Sequence, residues 1–325
     1  MSAIRRRLAI RSALALSAVL ISAHAVFAQA WVPERGEGAV TLAVQEMNVK
    51  KHLATTTIVD GGHINTIVFL TDATYGLTDK IAVDLAVPVV TSTYAGLRPH
   101  PGTNIDNGKF HTTVTDLRFS VRYNINRKGA VLTPFIGSVV PSHDYAYYGH
   151  SAAGQRLHEL QVGTFVAKLF TSGVPGMFVS GRVGYAFVEK VQDISHNKSI
   201  GDLEVGYFVT PAFRTFAIAS GQYTHGGIDF PINGQAGLPA PLRSVHDIIQ
   251  RVHSLTTGGG FAYSINDSTD MFASFTREVA GRNGHVLNRM VTVGASWSFT
   301  RRGKGKIAEQ QEASLGRCIC QKSGT

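Results

Sequence analysis

Charged side chains alternate with apolar ones along several segments of the chain. In "DLRFSVRY", Asp116, Arg118 and Arg122 share one face of the predicted strand, and the opposite face is apolar. The same alternation gives a set of eight charged positions: Asp84, Asp116, Arg118, Arg122, Glu159, Arg182, Asp202 and Glu204. Opposed acids and bases can select solutes in a channel, or they can pair and fill a narrow polar core. The sequence leaves both interpretations open.

Histidine is the second residue type that could do chemistry. Apart from His24, its twelve copies all lie in the longer connections or in the strand halves beside them. Neutral imidazoles there could bind a transition metal, or could gain a proton as the pH falls. Polar connections also collect histidine without any ligand, and no pair has a diagnostic spacing. The candidates for a loop binding site are His143, Asp144, His150, His196 and His225.

Sequence motifs for catalysis are missing. No Ser and His stand two residues apart on one strand face, and His253 and Ser254 are adjacent, so they point to opposite faces. The GxSxG, Walker and dinucleotide glycine motifs are also absent, and "TTGGGF" at 256–261 falls inside a predicted strand. We therefore expect no enzymatic activity and no soluble cofactor.

The elements that position these residues are predicted to be β-strands, because the apolar period is two. In "KIAVDLAVPVV" every second residue from Ile81 to Val89 is apolar, while Asp84 lies on the other face. Twelve segments are predicted: 38–50, 64–75, 80–93, 109–124, 130–143, 156–170, 177–190, 199–209, 213–225, 247–264, 269–280 and 285–299. The strands beginning at 213 and 247 are less regular, so ten or fourteen strands are also compatible with the pattern.

Short and long connections alternate strictly along this list. Short turns such as "GLTDK" and "INDSTD" would lie at one end, and connections such as 94–108 and 226–246 at the other. An even number of antiparallel strands with this alternation predicts an all-β fold, a transmembrane barrel of the bacterial outer-membrane type with its termini in the periplasm. A soluble exported sandwich would also alternate, but strands of about 11 to 16 residues suit tilted membrane spans better.

The two ends of the chain are predicted to lie outside the barrel. The basic start "MSAIRRRLAIR", the apolar run after it and the small residues before Gln29 indicate a signal peptide over 1–28. The barrel then spans 29–299, and a basic, disordered tail spans 300–325 with Cys318 and Cys320. These two ends carry most of the net charge of +9, so the body is nearly neutral and a nucleic-acid partner is excluded.

The last predicted strand, "RMVTVGASWSF", ends on Trp297 and Phe299. An aromatic finish of this kind resembles the signal that outer-membrane barrels present to the barrel-assembly machinery. The expected partners are therefore this machinery, the lipid bilayer of the outer membrane and a small-molecule solute.

Several phrases resemble one known family: "YGLTDKIAVDLAVPVV", "TDLRFSVRYN", "LTPFIGSVVPSHDYAYYGH", "ISHNKSIGDLEVGYFVTP" and "THGGID". The chain resembles the outer-membrane family labelled with the MetA pathway of phenol degradation, over most of residues 30–299. The resemblance implies a barrel associated with uptake of small, often aromatic, compounds, and we expect it to act as a passive diffusion channel. We expect the constriction to set three bases against three acids, namely Arg118, Arg122 and Arg182 against Asp116, Glu159 and Glu204. The alternative is a closed barrel that acts through its surface loops as a binding or structural protein.

Overall fold

The computed structural model describes residues 30–127 and 129–300, which form a closed antiparallel β-barrel. The predicted signal peptide and all of the predicted tail after Thr300 lie outside the described residues. Closure comes from the first and last strands, which pair from Glu37↔Thr300 to Leu53↔Gly284. Within the described ranges the wall has twelve strands, as predicted.

The strands are β1 (Glu37–Ala54), β2 (Thr57–Val59), β3 (His63–Gly76), β4 (Ile81–Ala95), β5 (His111–Val114), β6 (Asp116–Tyr123), β7 (Ala130–Pro141), β8 (Glu159–Leu169), β9 (Met177–Val188), β10 (His196–Thr210), β11 (Phe213–Gly226), β12 (His253–Asn266), β13 (Thr269–Arg282) and β14 (Gly284–Thr300). β2 is a short strand that pairs only with the end of β1, so it does not count as a wall strand. β5 and β6 both pair with β4 and together form one interrupted wall strand. Every predicted segment therefore corresponds to one strand of the wall.

Three predicted boundaries were wrong in an informative way. The register between β4 and its partner strand slips by one residue opposite Pro88. The predicted segment 109–124 is therefore interrupted at Thr115, whose N–H donates to the Pro88 carbonyl. The segment from 247 starts as a helix, α1 (His246–Ile249), and its strand begins only at His253. The strand predicted from 199 begins at His196. No helix in the described part of the chain is long and apolar enough to cross a membrane.

The barrel is polar inside and apolar outside. On β6, Asp116 and Arg122 are buried, whereas Phe119 and Val121 are exposed. Large apolar side chains are likewise exposed around the wall, among them Leu42, Phe69, Leu85, Ile136, Leu160, Val183, Leu203, Phe261, Phe275, Val293 and Trp297. A soluble sheet would bury this face, so the pattern fits a barrel whose outer surface contacts lipid.

The two ends of the barrel differ in their connections. We call one end the short-turn end. At this end two residues join β10 to β11, β1 begins and β14 ends. At the long-loop end lie the connections 96–110, 142–158 and 227–252, the last of which contains α1. The predicted alternation is not strict, because Asn283 alone joins β13 to β14 at the long-loop end.

An apolar cluster fills the interior near each end. Towards the short-turn end, Ala30 packs with the buried group Val131, Phe135, Phe165 and Ala167, and Trp31 packs against them. Thr133 Oγ1 donates to the Ala30 carbonyl at 2.6 Å, so the segment before β1 is tied to the inner wall. At the long-loop end a second cluster joins Leu157, Ala186, Val188, Val245, Ile248 and Ile249. A polar layer lies between the two.

Candidate functional site

The polar layer surrounds a cavity of about 180 Å³ inside the barrel. Its lining includes six of the eight charged residues expected on the inner face: Asp84, Asp116, Arg118, Glu159, Arg182 and Asp202. Arg122 is buried next to this cavity, and Glu204 is buried on the same inner face of β10. Alternation along the strands therefore placed all eight side chains on the interior side.

Two arginines of the layer are paired with aspartates on neighbouring strands. Arg122 binds Asp84 through two nitrogens, with Nη2 to Oδ1 at 2.6 Å and Nε to Oδ2 at 2.8 Å. Arg182 Nη2 and Nε both approach one oxygen of Asp202, Oδ2, at 2.6 and 2.7 Å, directly across the β9–β10 ladder. Ser220 donates a further hydrogen bond to Asp202. Two-nitrogen contacts of this kind fix both the position and the direction of the charges.

The third ion pair was missed by the sequence analysis. Glu159 accepts a hydrogen bond from Lys198 Nζ at 2.6 Å, and the same ammonium donates to Gln155 at 2.8 Å. Lys198 shares the inner face with Asp202 and Glu204, but the predicted strand began at 199 and left it out. Extending the alternation by one residue would have found it.

Arg122 and Arg182 have partners other than the expected acids, whereas Arg118 interacts electrostatically with Asp116 and Glu159, two of the acids expected opposite the bases. Arg122 and Arg182 bind the aspartates on their adjacent strands, while Glu159 binds Lys198. Asp116 instead accepts a hydrogen bond from the Tyr145 hydroxyl. Opposite residues on neighbouring strands lie about 4.5–5.5 Å apart, which favours pairing along the wall for Arg122 and Arg182. Lys198 on β10 reaches Glu159 on β8 across the intervening strand β9.

The loop histidines proposed as one binding site have separate partners. His143 contacts Thr113 and Ser142, and Asp144 pairs with Arg156. His196 Nδ1 donates to the Ile194 carbonyl, and His225 contacts Ser199. Of the five candidates, His150 is the one that lies within a larger cluster of histidines.

That cluster lies at the long-loop end, and we call it the histidine cluster: His52, His100, His150, His246 and His285. The His150 ring lies 4.1 Å from the His100 ring and 4.9 Å from the His52 ring, measured between centroids. His52 and His285 face each other across the β1–β14 ladder. Pairing of the first and last strands predicts this one contact, but the other members come from loops, where the sequence has no periodicity to follow.

Two carboxylates set the charge of the cluster. Asp106 accepts backbone N–H bonds from His100, His150 and Ser151, each at 3.0 Å. Burial disfavours the imidazolium of His100, but the carboxylates of Asp106 and Asp247 outweigh it and raise the pKa of His100 to about 9. Burial and the neighbouring His100 lower the pKa of His150 to about 4, so His150 is neutral at pH 7.

A closed, apolar-coated barrel of twelve strands with a charged interior defines the bacterial outer-membrane class of β-barrel. The structure is similar to that of an outer-membrane channel from Pseudomonas putida F1, with a TM-score of 0.62 and 12% identity over 82% of this chain and 96% of that chain. It is also similar to the translocator domain of the autotransporter NalP from Neisseria meningitidis, with a TM-score of 0.48 and 11% identity over 82% and 90% of the two chains. For the NanC porin these values are 0.47 and 9%, over 79% and 98%.

No protein-family model and no curated protein sequence matches the chain. The likeness to the channel of Pseudomonas putida therefore concerns the fold, since so low an identity transfers no site residues. The phenol-degradation label suggested by the sequence phrases is matched by none of these comparisons.

Proposed function

We propose that this protein is an outer-membrane channel for the passive uptake of small solutes. The observation that carries the proposal is a charged cavity inside a closed barrel whose outer surface is apolar. Three ion pairs, Arg122–Asp84, Arg182–Asp202 and Lys198–Glu159, keep this interior polar and hold its charges in fixed directions. As a solute passes, contacts with these charged groups would replace some of the water molecules bound to it.

The solutes we propose are small aromatic compounds with a hydroxyl group, such as phenols. The family resemblance suggests this class, and the cavity lining offers matching chemistry because Phe135 and Phe165 stand beside the charged groups. An aromatic ring would pack on the two phenylalanines while its hydroxyl bonded to a carboxylate or a guanidinium.

Passage would require movement at the short-turn end. Ala30 and Trp31 pack on Phe135 and Phe165 inside the wall, so this segment lies in the path of a solute leaving the cavity. We infer that displacement of residues 30–34 opens the channel towards the periplasm. The anchor includes hydrogen bonds from Thr133 and Asn124 to the Ala30 carbonyl, contacts of Arg127 with the Val32 carbonyl and with Glu34, and apolar packing.

Insertion into the outer membrane would use the last strand. Trp297 is 54% exposed on the outer face of β14, and its ring lies 5.5 Å from that of Phe299. This aromatic pair at the short-turn end would mark the strand for the barrel-assembly machinery and then lie at the lipid interface.

Single-channel recording tests the proposal. The folded protein is placed in a planar bilayer, and current is recorded with and without phenol. Stepwise currents that phenol blocks support an aromatic-solute channel, and steps that phenol leaves unchanged support a general pore. Absence of current from correctly folded protein, both for the wild type and after deletion of residues 30–34, would favour the alternative of a closed barrel that acts through its long loops. The apolar clusters at both ends are the observation that keeps this alternative in view.

A charge swap identifies the selectivity residues. Arg182→Glu places a second acidic group beside Asp202 and should shift ion selectivity towards cations, measured as the reversal potential in a salt gradient. The double variant Arg182→Asp with Asp202→Arg restores one charge of each sign and serves as the matched control. An unchanged reversal potential in a conducting Arg182→Glu channel would rule out this pair as a selectivity filter.

A further inference from the structure

Three side chains of the long-loop end direct ligand atoms towards one point. The His100 and His246 Nε2 atoms lie 3.3 Å apart. The carboxylate of Asp247 lies 3.4 Å from the first nitrogen, through Oδ2, and 3.0 Å from the second, through Oδ1. In a tetrahedral site with metal–ligand bonds of about 2.0–2.1 Å, ligand atoms are separated by about 3.3 Å. The 3.3 Å between the two Nε2 atoms matches this edge length, and ligand atoms taken one from each of the three residues lie within 4.8 Å of one another.

The remaining ring nitrogens of both histidines are already bonded. His246 Nδ1 lies 2.7 Å from the Arg243 carbonyl, which can only accept, so this nitrogen carries a proton, and in the neutral imidazole Nε2 is the nitrogen that can bind a metal. His100 Nδ1 lies 3.1 Å from Asp106 Oδ2, and the carboxylate there is the acceptor. A histidine that donates its second N–H to a carbonyl or carboxylate is the usual arrangement of a metal ligand.

The surroundings also favour a cation at this point. Two imidazole Nε2 atoms and a carboxylate converge where both imidazoles are almost completely buried, with side-chain exposures of 4% for His100 and 1% for His246. Without a positive charge between them, these groups would repel one another in a region of low dielectric. A proton or a metal ion can supply that charge, and because separations of 3.0–3.4 Å suit both, a metal-binding measurement distinguishes the two.

We propose that His100, His246 and Asp247 bind a divalent transition-metal ion, with Zn²⁺ as the preferred metal. Two imidazoles and one carboxylate are a ligand set that suits Zn²⁺, and three protein ligands leave a fourth position for water or a solute group. Asp106 is the positioning residue for His100. This site is independent of conduction, so it can be present whether or not the barrel is an open channel.

The metal would tie two separate loops together over the barrel. His100 belongs to the connection 96–110, whereas His246 and Asp247 belong to α1 within the connection 227–252. Val245 and Ile248 beside these ligands are members of the apolar cluster at this end. Metal binding should therefore hold both loops against the long-loop end and lower the rate at which they open.

Zinc binding to the full chain tests the site. Untagged protein is folded in detergent, stripped with a chelator and titrated with Zn²⁺ against a chromophoric competitor. We expect one tightly bound Zn²⁺ per chain, with affinity reduced at least tenfold by Asp247→Asn, a change that preserves side-chain shape. His246→Ala should have a larger effect, and Asp106→Asn should weaken binding by about 10- to 100-fold through the orientation of His100. Co²⁺ in place of Zn²⁺ should give the intense visible absorption of a tetrahedral site.

Two controls make the result decisive. His143→Ala removes a loop histidine whose partners are Thr113 and Ser142, and it should leave the affinity unchanged. His52→Ala with His285→Ala removes the other face of the histidine cluster, where His52 Nε2 is buried with no hydrogen-bond partner among the described residues. Loss of Zn²⁺ in this double variant with retention in Asp247→Asn would overturn the proposal, and so would absence of binding to folded wild-type protein.

Discussion

The charged cavity and the histidine cluster are both polar regions inside one barrel, but they are built differently. The ion pairs of the cavity join residues on strands of the wall: Arg182 faces Asp202 in register across one ladder, and Lys198 reaches Glu159 across one intervening strand. The histidine cluster joins residues far apart in the chain, for example His100 and His246, through loops. Strand pairing with a period of two fixes the first region, whereas loop packing fixes the second. The two regions should therefore respond differently to substitution.

The largest effect is expected from breaking an ion pair in the cavity. Asp84→Ala leaves the guanidinium of Arg122 buried without its main partner, because that side chain is only 2% exposed. Loss of one member of a buried pair costs roughly 3–5 kcal/mol. The free energy of unfolding, measured by urea titration of the folded barrel in detergent or lipid, should fall by this amount.

The matched control replaces both members. Arg122→Met with Asp84→Leu removes the charges together and should restore most of the lost free energy, since no unpaired charge is left. If the double variant were as unstable as Asp84→Ala alone, the cost would come from lost packing or from the bonds of Arg122 to Thr74, and the pair itself would contribute little.

The difference in construction also explains what could be predicted. Twelve strands and the inner face of eight charged residues follow from alternation, because a closed barrel leaves each strand one lipid face and one interior face. Lys198 was missed only because a strand boundary was placed at 199. The slip opposite Pro88 depends on how two strands meet, which one strand's pattern does not contain. The approach of His100 to His246 depends on loop packing across 146 residues of sequence, and no local signal records it.

A smaller, local effect is expected at the long-loop end. In the presence of chelator, His246→Ala should change the free energy of unfolding of the barrel by no more than about 1 kcal/mol, because loops open separately from the strands. Opening of the loops should increase, seen as faster amide hydrogen exchange over 96–110 and 227–252 than in wild type. A fall in global stability as large as that of Asp84→Ala would show that both regions belong to one cooperative unit.

The smallest effect concerns the other anchor of the 227–252 connection, the carboxylate of Asp229. It accepts hydrogen bonds from Arg282 Nη2 at 2.7 Å and from Asn283 Nδ2 at 3.0 Å, and Arg251 lies nearby at 3.5 Å. Burial acts to raise the pKa of Asp229, but these donors outweigh it and hold the pKa below its usual value. The anchor therefore contributes stability above the unfolded pKa of about 4 and loses it as the pH falls through the lower folded value.

Acid should consequently loosen this connection while the strands remain paired. Limited proteolysis by pepsin between pH 4 and pH 2 should show increasing cleavage within 227–252, with no loss of strand content by circular dichroism. Asp229→Asn cannot titrate, so its loop should already be looser at pH 4 and its cleavage should depend less on pH. If pepsin cleavage of Asp229→Asn and of wild type showed the same dependence on pH, Asp229 would not be the carboxylate that holds this loop in acid. Asp106 and Asp247 in the histidine cluster would then be the carboxylates that hold the loops of the long-loop end.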